Sequence, residues 1–361
     1  MMRLEAWLVA LTLIGCGDDA ADPEMDAEAP FAWALPEGFP EPLVPADNPM
    51  STAKVTLGRH LFYDPRLGPD GATACATCHR QAHAFADPRP QLAAWPDEGP
   101  ARGAPSLVNL AYAPRLGWAD PRDDGLEGQA ARALDAAADR ADAVLTEDAT
   151  YASLFADAWP DDAAPTRDHA AQALAAFERT LISGGAPYDR FVAGDATALS
   201  PAAQRGLRLF RSERLECFHC HAGHTLTDAV DHTGAPTVAV AWHNTGLYDE
   251  DGAGAYPTAD QGLIGVTGDP ADMGRFRAPT LRNIAVTAPY MHDGSLATLE
   301  DVIEHYSYGG LAGGPLVSEF VPGFIVSDAE MADLLAFFDS LTDADFLADP
   351  RFADPWPASS R

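Results

Sequence analysis

"CATCH" at residues 75–79 and "CFHCH" at 217–221 decide how this chain is read. Each is Cys-x-x-Cys-His, the pentapeptide whose two thiols add to the vinyl groups of a porphyrin while the next histidine turns back to bind the iron. The 361-residue chain has five cysteines, Cys16, Cys75, Cys78, Cys217 and Cys220, and the two pentapeptides use four of them. Other chemistries also use paired cysteines. A Cys₄ zinc site brings its two pairs within a short stretch, whereas these pairs lie in different halves of the chain. A redox dithiol gives no reason for a histidine after each pair. Two covalently bound haem c groups are therefore expected, one on Cys75, Cys78 and His79, the other on Cys217, Cys220 and His221.

The segments leading into the two motifs resemble each other. "LGRHLFYDPRL" (57–67) precedes the first and "RGLRLFRSERL" (205–215) the second, and each reads as a short amphipathic helix running into a haem loop. The second copy opens with Ser200 as N-cap and Pro201 at the first helical position. Helices are also expected over 166–183, with Leu174, Phe177 and Leu181 on one stripe, and over 327–341, where Ser327 and Glu330 form a capping box. There Leu334, Leu335, Phe338 and Leu341 are expected to share a face. Long Gly/Pro-rich loops separate these segments and no sustained β alternation appears. The expected fold class is all-α, two cytochrome c-like haem domains with long loops and little or no β. The division falls at 46–190 and 191–361, with Tyr188 and Phe191 near the boundary.

Acidic residues outnumber basic ones, 54 Asp+Glu against 23 Lys+Arg, for a net charge of −31. Phosphates would be repelled, so nucleic acid is excluded as a partner, and a neutral or basic protein is easier to accommodate. The first residues, "MMRLEAWLVALTLIGC", place Arg3 before an apolar run too short to span a bilayer as a helix. The run reads as an export signal, and "LIGC" ends it as a lipobox with Cys16 as the acylated residue; an ordinary cleaved signal is the alternative. Residues 17–45 are expected to be an acidic tether. Membrane contact would come from the lipid anchor alone, in the periplasm or cell envelope, where haem attachment also takes place.

Taken with "APSLVNLAY", "AFERTLISG" and "FRAPTLRNIAVTAPYMHDGSLATLEDVIEHY", these motifs resemble the bacterial di-haem cytochrome c peroxidase/MauG superfamily from about residue 34 to the end. "LPEGFPEPLVPADNPM" and "SLTDADFLADPRFADPW" are most similar to its MbnH branch, whose members oxidise a tryptophan of a partner protein, MbnP, to kynurenine. The resemblance implies that His79 and His221 are the proximal ligands of the two irons, with the far face of the first left open to hydrogen peroxide. On the far face of the second, the peroxidases carry methionine and MauG-like enzymes tyrosine. The matching position lies fourteen residues beyond His292, at Tyr306, with His305 and Met291 as neighbouring alternatives. Thr298 would cap the helix that carries it, with Val302 and Tyr306 one turn apart on one face. A phenolate favours oxidised iron whereas a thioether favours ferrous iron.

Trp118 matches the family's tryptophan between the haems. Gln129 matches a glutamine that handles peroxide protons, and the acid position falls on Asp139, although the family's Gly-Pro after that glutamine is missing. The family's bridging calcium is left an open expectation, because Gly103 stands where relatives supply asparagine; Thr287 and Pro289 could still offer carbonyls. His83, His224, His243 and His292 are expected to bond propionates or backbone rather than iron. The resemblance thus implies an exported peroxidase-class enzyme that oxidises a residue, tryptophan by analogy, of an MbnP-like secreted partner. The rivals are a cytochrome c peroxidase fed by a small cytochrome c, and an electron carrier with both haems six-coordinate.

Overall fold

The computed structural model describes residues 31–89, 101–122, 124–235, 240–311 and 316–357. Cys16 and the export signal lie outside the described residues, as does the first part of the expected tether. The helices, in chain order, are α1 (Thr52–Phe62), α2 (Cys75–Cys78), α3 (Gly125–Asp135), α4 (Ala138–Glu147), α5 (Ala149–Ala158), α6 (Arg167–Arg179), α7 (Pro187–Val192), α8 (Pro201–Phe210), α9 (Ile264–Thr267), α10 (Leu299–Ser307), α11 (Asp328–Asp339) and α12 (Ala344–Leu347). Two-residue strands β1 (His243–Asn244) and β2 (Arg275–Phe276) pair antiparallel and make the one small sheet among the described residues. The fold is all-α with almost no β, as the sequence implies. No helix among the described residues is long and apolar enough to cross a membrane.

Local chemistry sets the helix starts. Ser51, Thr166, Ser200, Thr298 and Ser327 each accept a hydrogen bond from the first turn of α1, α6, α8, α10 and α11, and Thr298–Asp301 and Ser327–Glu330 are reciprocal capping boxes. Tertiary packing then uses one device twice. α1 crosses α6 at Gly58, where an added Cβ would lie 1.9 Å from the Ala173 carbonyl oxygen and 2.9 Å from Phe177 Cβ. α8 crosses α11 at Gly206, where it would lie 1.9 Å from the Asp333 carbonyl oxygen and 2.8 Å from Phe337 Cβ. Only a residue without a side chain lets the backbones approach so closely. Around the first crossing pack Leu57, Leu61, Phe62, Phe85, Leu174 and Phe177; around the second, Leu207, Phe210, Leu334, Phe337, Phe338 and Leu341. Phe337 takes a central place that the stripe reading gave to Leu335, because it lies one turn beyond Asp333 and meets Gly206 at the crossing.

Tyr188 and Phe191 belong to the second core. Phe346 and Phe352 return to the first, with Trp356 packed against it, so the chain's last described residues cover the half in which it began. The seam between the halves is a second repeat, "APSLVNLA" (104–111) and "APTLRNIA" (278–285). Its asparagines, Asn109 and Asn283, both take left-handed backbone conformations, φ 63° and 61°. Both bond Ser183: Asn109 Nδ2 donates to its carbonyl at 3.1 Å and Asn283 Nδ2 to its Oγ at 3.0 Å. Asp343 closes the knot, its Oδ2 accepting from Ser183 Oγ (3.0 Å) and the Gly184 (3.1 Å) and Gly185 (2.8 Å) amides. The end of the expected tether packs here too: Phe39 lies edge-on to Tyr112 and His224, and Tyr112 donates to the Pro40 carbonyl.

Candidate functional site

Each Cys-x-x-Cys-His loop sits at the end of one crossing pair. Cys75 packs on the first core and Cys217 on the second, and no cysteine among the four is in a disulfide. Burial pushes both thiols up to about 12. Such surroundings suit neutral sulfur, as in a thioether, and oppose the thiolates that a zinc site needs. His79 directs Nδ1 at the Phe85 carbonyl (2.8 Å) and His221 directs Nδ1 at the Leu226 carbonyl (3.3 Å). The carbonyls of Pro105 and Pro279, equivalent residues of the seam repeat, face the same two rings. A Nδ1–H held by a backbone oxygen leaves Nε2 as the lone-pair donor, the tautomer that a metal-binding histidine requires.

Tyr306 on α10 and His221 line one cavity with Cys217, Cys220, Phe210 and Phe338. Burial raises the phenol's pKa, and the Cys220 and Cys217 sulfurs raise it further, so deprotonation there calls for a cation in the same space. His305 is buried and places Nε2 2.9 Å from the Thr245 carbonyl, which turns its ring away from this space. Met291 borders the cavity but belongs to a third apolar cluster, with Trp118, Trp242, Tyr256 and Phe276. The donor set of His221, Tyr306 and two thiols along one largely apolar cavity fits a haem.

The cavity continues past Trp118, Gly103 and Asp87 toward the first loop. Trp118 is fixed at both ends: its indole donates to the Gly103 carbonyl at 2.8 Å and its own carbonyl accepts from Arg277 N at 2.8 Å. Arg277 is buried, and burial pushes its pKa down to about 10. Its guanidinium donates to the Gly117 and Ala278 carbonyls (3.1 and 3.4 Å), with the charge of Asp228 as partial compensation, so an anionic propionate would be welcome beside it. The sequence reading passed over this arginine, since nothing in "FRAP" alone separates it from a surface cation. Gly103, Thr287 and Pro289 all border the cavity, but Gly103 brings no side-chain oxygen and its carbonyl already serves Trp118.

Gln129 and Asp139 lie on exposed faces of α3 and α4, and Gln129 Oε1 accepts from Arg132 at 2.7 Å. The carboxyl that sits against Cys75 is instead Glu178 on α6, which burial pushes up to about 8. Sequence reasoning had placed it only as part of "AFERTLISG". Among the other histidines, His83 Nδ1 meets the Val286 carbonyl at 3.0 Å, His243 Nε2 meets Asp228 at 2.6 Å, and His292 stacks on Phe276 at 3.9 Å. His224 is wedged between Phe39 and Tyr112, its Nε2 buried without a hydrogen-bond partner.

Two similarly built helical halves each carry a Cys-x-x-Cys-His loop, and the second loop brings Cys217, Cys220 and His221 to the cavity, the layout of a di-haem oxidoreductase. The comparisons agree. Residues 52–197 match the family described as di-haem cytochrome c peroxidase. The chain is 33% identical over 358 residues to the methylamine utilization protein MauG of Methylorubrum extorquens, covering 92% of this chain and 94% of that one. It is 30% identical over 290 residues to the cytochrome c551 peroxidase of Pseudomonas aeruginosa, covering 78% and 79%. The crystal structure of a MauG-like protein associated with microbial copper homeostasis superposes with a TM-score of 0.85 at 42% identity, covering 91% of this chain and all of that one. The chain belongs to the di-haem cytochrome c peroxidase/MauG family.

Proposed function

We propose that this protein is an enzyme of the MauG/MbnH type, which uses hydrogen peroxide to oxidise a side chain, tryptophan by analogy with the branch it resembles, on a secreted partner protein. What supports the reading is Tyr306, which lines one cavity with His221 and stands where the peroxidases of the family carry methionine. When bound, the two haems supply the oxidising equivalents drawn from peroxide. The residues of the chain do the rest. Cys75 and Cys78, and Cys217 and Cys220, hold the groups covalently, and His79, His221 and Tyr306 bind iron. A phenolate at Tyr306 stabilises the higher oxidation states of the second site.

Trp118, held rigidly between Gly103 and Arg277, shortens the path for electrons between the two sites. Arg277 would supply the positive charge that holds an anionic group of the cofactor. Peroxide needs a proton moved from its inner to its outer oxygen, and a carboxyl titrating near neutrality suits that task. Glu178, pushed up to about 8, is better tuned for it than the exposed Asp139, with Gln129 on the neighbouring helix. Calcium forms no part of this reading, because Gly103 removes a side-chain ligand. Export, with a lipid anchor at Cys16, puts the enzyme where its partner is secreted.

The net charge of −31 also suits a small basic cytochrome c as electron donor, and the similarity to a cytochrome c551 peroxidase keeps that reading as the rival. The test is to mix the diferric holoprotein with peroxide and either a reduced small cytochrome c or an MbnP-like secreted protein. Mass spectrometry that finds an oxidised tryptophan in the secreted protein, with slow cytochrome oxidation, supports the proposal. Rapid cytochrome oxidation with an unmodified secreted protein overturns it.

A further inference from the structure

The third apolar cluster gathers Trp118, Trp242, Tyr248, Tyr256 and Phe276 beside the cavity. From Tyr256, which is fully buried, aromatic contacts run both inward and outward. Inward, Tyr256 tilts against Phe276 (6.1 Å between centroids), Phe276 stacks on His292 at 3.9 Å, and Phe276, His292 and Tyr306 line the same cavity. Outward, Tyr256 meets Tyr248 edge-on at 5.5 Å and 74°. Tyr248 is half-buried, in a loop that continues into the exposed Glu250.

What separates these rings is where their protons can go. Removing an electron from a phenol or indole makes it strongly acidic, so oxidation is easy only beside a group able to accept the proton. Tyr256 donates to the amide oxygen of Asn244 at 3.0 Å and accepts from Leu247 N at 3.0 Å; neither is a base. Trp118 donates to a backbone carbonyl, also no base. Tyr248 alone of this cluster, among the described residues, donates its hydroxyl to a carboxylate, that of Asp293. Asp293 is 4% exposed, and its other oxygen is held at 3.0 Å by Ser295 N.

We propose that Tyr248 and Asp293 form a proton-coupled outlet through which oxidising equivalents pass from the haem pair to a protein docked at this face. The inference rests on the peroxide-driven oxidation proposed above and adds the residue through which it leaves. Tyr248 gives one electron to the peroxide-oxidised haems and its phenolic proton to Asp293, leaving a neutral tyrosyl radical and a neutral aspartic acid. A side chain of the docked protein then gives one electron to the radical, and Asp293 returns the proton. Burial of Tyr248, together with the neighbouring Asp293, pushes the phenol up to about 12, so the ring enters this cycle protonated.

The experiment adds one equivalent of hydrogen peroxide to the diferric holoprotein, without a partner, and follows it by freeze-quench EPR and by the return of the optical spectrum. The wild type is expected to give a transient radical whose lines narrow when its tyrosines are ring-deuterated. Tyr248→Phe should lower that radical tenfold or more and slow the optical return at least fivefold. Asp293→Asn should do the same with the ring still present. Should that variant fail to fold, transfer of the wild type into D₂O takes its place, slowing the return there and not in Tyr248→Phe. Tyr308→Phe, at a ring that is 79% exposed, is the control and should change nothing. A radical and a return rate unchanged in Tyr248→Phe overturn the inference, as does a wild type whose optical spectrum responds to peroxide without any tyrosyl signal. A wild type whose spectrum does not respond to peroxide overturns the proposed function itself, and the outlet with it.

Discussion

Replacing Gly58 or Gly206 with alanine tests whether the chain is built on one crossing used twice. At either position the added methyl carbon would lie 1.9 Å from a backbone carbonyl oxygen of the facing helix, which is roughly 1.5 Å inside ordinary contact. A flexible side chain could swing away, but a carbonyl within a helix moves only with the helix, so the cost falls near the upper end of the ~1–3 kcal/mol typical of overpacking. Alanine recovers about 1 kcal/mol through its better helix propensity. The net is a loss of about 2 kcal/mol, or roughly 2–3 °C in melting temperature for a chain of 361 residues. Calorimetry of the holoproteins measures it. Position also matters: Gly206→Ala should disturb the optical signature of the tyrosine-facing site and spare the other, and Gly58→Ala the reverse. Two variants that melt with the wild type would refute the close-crossing argument.

Three further expectations follow from the same structure. Asp343→Ala leaves Ser183 Oγ and two glycine amides without their charged acceptor at the buried seam; it should cost on the order of 3–5 kcal/mol, read as a fall in denaturation midpoint, and a change under 1 kcal/mol would contradict the seam's role. Glu178 has its folded pKa raised to about 8 against an ordinary 4.5, so its neutral form favours the folded state. That contribution is complete below about 4.5 and is lost as pH rises toward 8, so Glu178→Gln should flatten the decline in melting temperature across this window; identical pH profiles would argue that the carboxyl is solvated. His305→Ala should leave the optical and EPR spectra of the second haem unchanged while costing about 1–2 kcal/mol of stability from the lost bond to Thr245, whereas a changed axial signature would mean that His305, not Tyr306, meets the iron.

The haem loops, the helix starts and the all-α class were legible in the sequence because each depends on local chemistry: Cys-x-x-Cys-His spacing, Ser or Thr caps, and apolar stripes. Tyr306 was singled out by the resemblance, which puts the ligand position fourteen residues beyond His292; local chemistry showed only that Thr298 caps the helix carrying it. What depended on long-range contact was harder to see. Arg277 and Glu178 look like ordinary surface charges until the fold buries the first and sets the second near Cys75. The repeat "APSLVNLA"/"APTLRNIA" was present in the letters, yet its meaning lies in two left-handed asparagines meeting at one serine. Tyr248 carried no motif at all; its pairing with Asp293 exists only because the loop after β1 folds over the "HDG" turn. The return of Phe346 and Phe352 to the first core escaped a division that followed chain order.

The central claim is that Tyr306 allows this site to hold an oxidising equivalent, and one measurement addresses it directly. Diferric wild type and Tyr306→Phe are each given one equivalent of peroxide and followed by optical and Mössbauer spectroscopy. The account predicts a lasting state in the wild type with both irons oxidised above ferric, lost in the variant. A wild type that reacts only after one haem is reduced, with the variant behaving alike, would contradict it and make peroxide removal the better description of this enzyme.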